Sequence, residues 1–155
     1  MNSSDKKPPV RATSILGTGS EVPPRIVTNQ ELEALVDTSD EWIFTRTGIK
    51  ERRIADPGIA ASDLAIGAAR RAIERARVPA ERLDAIVVCT VTADFHFPST
   101  ACLVQAAIGA PKAFCMDLGA ACSGFLYGSQ VARGLIGSSL ADNVLVVGVE
   151  MLSKF

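Results

Sequence analysis

Four apolar runs divide the chain and predict the strands of a sheet. Residues 84–92 contain the continuous apolar run 85–89, and residues 114–118 and 144–149 are further, largely apolar runs. Runs of this length are typical of strands buried on both faces of a parallel sheet. A further run, residues 10–16, is ended by Gly17-Thr18-Gly19-Ser20 and predicts a first strand.

Helical periodicity fills the intervals between these runs. The clearest helix spans residues 64–77, where Ser62 or Asp63 can cap the start and Val78-Pro79 ends the pattern. Ser99 can cap a second helix that Gly109 closes. A shorter helix is expected over residues 29–36, with Asn29 as cap, and a second short helix or a turn over residues 37–44. Residues 122–137 predict a helix whose Gly and Ser content favours close packing over exposure to solvent.

Strands that alternate with helices predict a layered α/β fold with a largely parallel sheet. The chain has 155 residues, which suits one domain, and no repeat or internal linker divides it. We expect residues 1–10 to form a flexible N-terminal tail and residues 11–155 to form the folded unit.

Composition excludes several classes of function. The net charge of −1 gives no basic face for nucleic acid, and no apolar run reaches membrane-spanning length. The first nine residues lack the apolar core of a secretory signal. Hydrophobic residues make up 48% of the chain, and its mean hydropathy is +0.24. This is apolar for a soluble domain and favours a surface meant for a partner or for a missing half.

Candidate chemistry lies at one cysteine. Cys89, Cys102, Cys115 and Cys122 have no C-x-x-C spacing, so we expect neither a disulfide framework nor a zinc site, and a reducing cytoplasm fits best. Cys122 follows a strand and small residues and precedes a helix, whose N-terminus favours the nucleophilic thiolate. The alternative is a buried structural cysteine.

The residues around Cys122 support the catalytic interpretation by resemblance. Gly119-Ala120-Ala121-Cys122-Ser123-Gly124-Phe125 resembles the nucleophile motif of the β-ketoacyl-acyl-carrier-protein synthase III family. Residues 15–20, 37–49 and 97–102 resemble other segments of that family in the same order and spacing. The resemblance implies the thiolase-like αβαβα architecture with a mixed, largely parallel sheet, of which this chain is the N-terminal half.

The resemblance also implies an activity. A family member is an acyltransferase that starts fatty acid synthesis, with acetyl-CoA as the expected primer. Its cysteine takes the acyl group from acyl-CoA, and a decarboxylating malonyl unit on acyl carrier protein then attacks the thioester. The products are a β-ketoacyl-acyl carrier protein and CO2. No cofactor and no metal are expected, and the enzyme is expected to be a cytoplasmic homodimer.

Particular residues take roles by the same resemblance. Trp42 is expected to stack on the adenine of CoA and Arg46 to hold the nucleotide. Thr38 is expected to form a hydrogen bond with the edge of the adenine. Phe97 is expected to line the acyl pocket, reaching across the dimer interface. The alternative for Trp42 is a core or staple residue on a short helix, and for Phe97 it is ordinary core packing. The family's catalytic His and Asn are expected in the missing half, with His96 only a loop residue beside the entrance.

Other interpretations stay open at this point. The Arg52-Arg53 and Arg70-Arg71 pairs are most simply solvated faces. The chain could belong to another thiolase-superfamily condensing enzyme, such as a 3-hydroxy-3-methylglutaryl-CoA synthase-like enzyme or a secondary-metabolite ketosynthase. It could also be a non-catalytic half-protein that serves as an interaction subunit.

Overall fold

The computed structural model describes residues 11–154. The predicted tail, residues 1–10, and Phe155 lie outside the described residues. The described part contains five strands and five α-helices, in the order β1 (Arg25–Thr28), α1 (Asn29–Glu33), α2 (Asp40–Thr47), β2 (Glu51–Ile54), α3 (Ala61–Ala76), β3 (Ala85–Cys89), α4 (Thr100–Ile108), β4 (Phe114–Leu118), α5 (Gly124–Gly137) and β5 (Val144–Gly148). Short 3-10 turns occur at Ala80–Arg82, Ala121–Ser123 and Leu152–Lys154.

A parallel sheet of three strands, in the order β4-β3-β5, forms the centre. Ala85 pairs with both Phe114 and Val144, and Cys89 pairs with Leu118 and Gly148. All five residues of β3 are buried, because this strand is covered on both faces and both edges. The sequence prediction of these three strands is confirmed, although β4 and β5 lie at the edges and are less buried than β3.

Helices cover both faces of this sheet. Ile86 and Val88 of β3 belong to a core cluster that includes residues of α3 and α4. The alternate residues Val87 and Cys89 point to the other face, where they lie beside Gly128 of α5. The described chain is therefore a three-layered α/β/α unit.

The prediction of a first strand over residues 10–16 is wrong for residues 11–16, the part that the structure describes. This segment is irregular. A cleft of about 700 Å³ separates the segment from β5, so no strand of the described sheet pairs with it. The residues that follow it are fastened to α3, where the Arg75 side chain donates to the Thr18 carbonyl at 2.9 Å. Gly17 and Gly19 pass so close to α3 that a Cβ would meet its backbone at 2.5 Å and 2.2 Å.

The sequence analysis missed a second, antiparallel pair of strands, β1 with β2. Two of the arginines assigned to solvated faces belong to it. Arg52 donates to the Val27 carbonyl at 3.1 Å, and Arg53 donates to the Pro24 carbonyl at 3.1 Å.

The other arginine pair, Arg70-Arg71, is exposed as predicted and also makes contacts within the fold. Arg70 donates to the Ala107 carbonyl of α4 at 3.0 Å, and Arg71 forms an ion pair with Glu21. The sequence analysis did not anticipate these contacts, because a local pattern does not show acceptors that are distant along the chain.

Helix starts differ from the expectations in detail. Thr28 rather than Asn29 caps α1, and Ser39 caps α2. Helix α3 begins after Ala60, whose N–H donates to the Asp63 carboxylate at 2.8 Å. Helix α4 has the predicted Ser99 cap and ends at Gly109. None of the described helices is long and apolar enough to cross a membrane.

Candidate active site

Cys122 lies at the carboxyl end of the sheet, in the short connection between β4 and α5. It is exposed, which excludes the buried structural interpretation in this chain. The α-helix does not begin at Cys122 as expected, because Ala121–Ser123 forms a 3-10 turn and α5 starts at Gly124. The thiol therefore sits within the turn that enters the helix, beside its first N–H groups.

Backbone strain marks the residue before the thiol. Ala121 has φ of 44°, in the left-handed region that residues with a Cβ rarely adopt. Strained backbone of this kind concentrates at functional sites, where the surrounding structure holds it in place. Gly124 supports the turn from the other side, since a Cβ there would meet the Cβ of Cys89 at 3.2 Å.

The other three cysteines have different surroundings. Cys89 is buried, and burial raises the pKa of its thiol. Burial also raises the pKa of the Cys115 thiol to about 11, with a smaller contribution from neighbouring Cys102. Cys102 is half-buried and accepts a hydrogen bond from the Ser99 hydroxyl at 3.2 Å. These settings favour the neutral thiol at Cys89 and Cys115.

The loop from β3 to α4, residues 90–99, leaves the same edge of the sheet as Cys122. Parallel strands bring their carboxyl ends together, so this loop borders the nucleophile's connection. Its residue Phe97 is 90% exposed, and core packing is therefore wrong as an account of Phe97 in this chain. His96 is exposed beside it, as expected of a loop residue.

Asp117 is a residue that the sequence analysis overlooked. Its carboxylate accepts hydrogen bonds from the N–H groups of Thr100 at 2.7 Å and Ala101 at 2.8 Å. The sequence did contain one indication of this role, because Asp117 is an acidic residue inside an otherwise apolar strand. The contact fixes the start of α4, a helix whose macrodipole favours a negative charge there, and so anchors the loop that carries Phe97.

Trp42 and Arg46 form a pair on α2. The guanidinium carbon of Arg46 lies 4.4 Å from the centre of the Trp42 ring, as expected of residues four apart on a helix. Trp42 is 52% exposed, so the core alternative is wrong here. The ion pairs of the described chain do not involve Arg46. Thr38 is half-buried and directly precedes the Ser39 cap of the same helix.

Buried Asn29 holds α2 in place. Its amide donates to the Asp40 carboxylate at 2.7 Å and to the Ile49 carbonyl at 2.8 Å, and it accepts from Arg52 at 2.6 Å. These contacts tie both ends of the α2 segment to β1 and β2.

The predicted site residues thus fall into two groups. Thr38, Trp42 and Arg46 belong to the α2 segment, whereas Phe97 and Cys122 lie at the carboxyl edge of the sheet. The hydrogen bonds of residues 11–154 do not join the two groups directly. The same residues contain no cluster of three or more His, Cys, Asp or Glu side chains that could hold a metal ion.

Comparisons with known proteins agree on one group of relatives. A family model described as 3-oxoacyl-[acyl-carrier-protein (ACP)] synthase III matches residues 116–155. The β-ketoacyl-[acyl-carrier-protein] synthase III of Caldanaerobacter subterraneus subsp. tengcongensis is 57% identical over 143 residues, which make up 92% of this chain and 43% of that protein. The protein of the same name from Symbiobacterium thermophilum is 54% identical over 94% of this chain and 44% of its own length.

A solved structure extends the likeness to three dimensions. The crystal structure of 3-oxoacyl-[acyl-carrier-protein] synthase III from Aquifex aeolicus VF5 superposes with a TM-score of 0.90 at 50% identity. The match covers 92% of this chain and 46% of that one. The chain spans less than half the length of each of these relatives.

Proposed function

The chain belongs to the β-ketoacyl-[acyl-carrier-protein] synthase III family, and from this premise we propose that it carries the nucleophile of an acyltransferase that starts fatty acid synthesis. Its architecture is the N-terminal half of the thiolase-like fold that the sequence predicted. Exposed Cys122, in a strained turn that enters α5, is the observation that carries the proposal.

In the proposed reaction the Cys122 sulfur attacks the carbonyl carbon of an acyl-CoA thioester, and the CoA thiolate leaves. The Cys122 N–H, at the start of the helix, is the proposed donor to the oxyanion that forms on the way. The malonyl unit on acyl carrier protein then loses CO2, and its carbanion takes the acyl group from Cys122. This order gives the β-ketoacyl-acyl carrier protein and restores the thiol.

The α2 segment is the proposed CoA site. The exposed face of Trp42 offers a stacking platform for adenine, and Arg46 has a guanidinium free to hold the nucleotide phosphate. Thr38 is the proposed partner of the adenine edge. Phe97, nearly fully exposed in this chain, is the proposed wall of the acyl pocket, contributed across a homodimer interface.

The proposal also assigns a place to the rest of the enzyme. Residues 11–155 form the N-terminal half-domain, and the catalytic His and Asn lie in the part of the family's length that this chain does not span. That part is proposed to cover the exposed outer face of α5 and to fill the cleft beside β5. The complete protein is proposed to act as a homodimer in the cytoplasm, without a metal or cofactor.

Mass spectrometry of the full-length protein after incubation with acetyl-CoA tests the proposal. The acetyl group is expected on the peptide that contains Cys122. Cys122→Ala should abolish acylation and condensation, whereas Cys102→Ala, a change at a half-buried cysteine, should retain both. An acyl group on another cysteine, or no acyl-enzyme at all, would show that the proposal is wrong.

A further inference from the structure

Glu150 lies two residues beyond the end of β5, on the same edge of the sheet as Cys122. It reaches across to the loop after β3. Its carboxylate accepts hydrogen bonds from the Val91 N–H at 3.0 Å and from the Thr92 hydroxyl at 2.7 Å. Both donors belong to the loop that continues to Phe97.

The two threonines of this loop extend the contact inward. Thr90 and Thr92 are buried, and the Thr92 N–H donates to the Thr90 hydroxyl oxygen at 3.0 Å. The Thr92 oxygen also accepts from the Met151 N–H at 2.8 Å. The Thr92 hydroxyl therefore accepts from Met151 and donates to Glu150, so it joins the loop to two successive residues after β5. We call Glu150, Thr90, Val91 and Thr92 the Glu150 clasp.

The rest of the loop is fixed by other contacts. The Asp94 carboxylate accepts from the Ser62 N–H at 3.1 Å, and Asp117 holds the start of α4. Between these anchors the loop projects Phe95 and Phe97 outward. The Glu150 clasp fixes residues 90–92 on the β3 side and the Asp94 contact follows it, so the two together set where the segment with Phe95 and Phe97 begins.

We propose that Glu150 is a positioning residue that sets the acyl-chain preference of the enzyme by fixing the loop that carries Phe97. The proposal rests on the proposed function for the role of Phe97, and on this chain's own hydrogen bonds for the role of Glu150. A carboxylate suits the position because the groups that face it, the Val91 N–H and the Thr90 and Thr92 hydroxyls, can all donate. A glutamine has one accepting oxygen and one NH2 group, so in either orientation its NH2 group would face one of these donors, which would lose its acceptor.

The test uses the full-length protein with Glu150→Gln and Thr92→Val, and with Glu81→Gln as the control on the opposite end of β3. Hydrogen–deuterium exchange should rise over residues 91–97 in both clasp variants and stay unchanged in Glu81→Gln. The ratio of kcat/KM for hexanoyl-CoA to that for acetyl-CoA should shift by about fivefold or more, since small displacements in a pocket act on the reacting geometry. Affinity for free CoA should not change, because α2 is untouched.

Each result decides a separate point. If hydrogen–deuterium exchange over residues 91–97 is unchanged in both clasp variants, the Glu150 clasp does not hold the loop. If the exchange rises but the ratio of kcat/KM for the two acyl-CoA substrates is unchanged, the clasp has no role in acyl preference. An equal loss of rate for both primers, with a lower melting temperature, also overturns that role, since it marks general destabilisation. If Glu150→Gln does not fold, Thr92→Val decides the same points. If the wild-type protein forms no acyl-enzyme, the proposed function is wrong. The hydrogen–deuterium exchange measurement then still shows whether the Glu150 clasp holds the loop.

Discussion

At the scale of single residues, the four thiols differ in exposure. Cys122 is exposed, Cys102 and Cys115 are half-buried, and Cys89 is buried. Alkylation proceeds through the thiolate and requires access to the sulfur. At pH 7, iodoacetamide should therefore label Cys122 of the full-length protein first, and prior incubation with acyl-CoA should protect it. Peptide mass spectrometry measures the order, and first labelling at another cysteine would contradict the assignment of the nucleophile.

The pH dependence of labelling separates Cys115 from Cys122. Burial raises the pKa of Cys115 to about 11, so its thiol stays protonated and unreactive through the neutral range. Its labelling should increase only as the pH rises toward that value. Labelling of Cys115 that is already complete at pH 8 would show that the thiol is less buried than the structure indicates.

Trp42 allows a matched comparison on one helix. Trp42→Ala should weaken acyl-CoA binding by roughly 1–3 kcal/mol, the size of base–aromatic stacking. Phe44 is the control, since it is an exposed aromatic two residues away on α2 and points to a different face. Calorimetric titration with CoA measures both variants. Equal losses for Trp42→Ala and Phe44→Ala would indicate a folding role for the helix and not a stacking platform.

At the scale of elements, α5 depends on a glycine where it crosses the sheet. A Cβ on Gly128 would meet the Cys89 sulfur at 2.4 Å and a Val146 methyl at 3.1 Å, while Gly134 has open space. Gly128→Ala should lower the free energy of unfolding by about 1–3 kcal/mol through overpacking. Gly134→Ala should raise it by up to about 1 kcal/mol through helix propensity. Thermal unfolding distinguishes the two, and stabilisation by Gly128→Ala would contradict the close packing.

The α2 segment depends on Asn29 in a similar way. Asn29→Ala leaves Arg52, Asp40 and the Ile49 carbonyl without their buried partner. The expected cost is about 2–3 kcal/mol, the scale of buried groups left unsatisfied. Exposed Gln30 on the same helix provides the control, and its change to Ala should have little effect. Chemical denaturation measures both, and equal stability of the two variants would exclude the anchoring role of Asn29.

Local patterns predicted the central elements well and the peripheral ones poorly. The run 85–89 and the Ser99 cap needed only neighbouring residues to be recognised, and both are confirmed. Strand β2 reads Glu51-Arg52-Arg53-Ile54, and it is held by pairing with β1 and by an Arg52 contact with the Val27 carbonyl, 25 residues earlier. No local pattern contains such contacts. The Glu150 clasp was missed for the same reason, since its partners lie nearly 60 residues apart.

The site residues show the same division. The sequence placed Cys122 at a turn and Arg46 four residues after Trp42. Only the structure shows that Cys122 is exposed and that Arg46 lies over the Trp42 ring. Their roles in catalysis and CoA binding stay predictions, because they depend on a substrate. Asp117 was overlooked because the hydrogen-bond donors at the start of α4 belong to another part of the chain.

At the scale of the whole molecule, the outer side of this unit carries apolar surface. The α5 side chains Leu126 and Tyr127 are 67% and 57% exposed, and the cleft beside β5 leaves the edge of the sheet open. Unpaired strand edges and contiguous apolar patches promote association between chains. These features explain why the chain is apolar in composition, since much of its apolar surface is not buried within the described unit.

The 155-residue chain by itself should therefore self-associate and should not condense acyl-CoA with malonyl-acyl carrier protein. Self-association follows from the exposed α5 face, and Leu126→Lys combined with Tyr127→Lys should reduce it without disturbing the buried side of the helix. Loss of condensation follows from the absence of a residue that resembles the family's catalytic His or Asn, because members of a cooperating catalytic group act together. Sedimentation velocity measures the association, and a single, narrow monomer peak at high concentration would contradict the exposed interface.

CO2 release from malonyl-acyl carrier protein measures condensation, and steady turnover by the chain alone would place the full catalytic group within these residues.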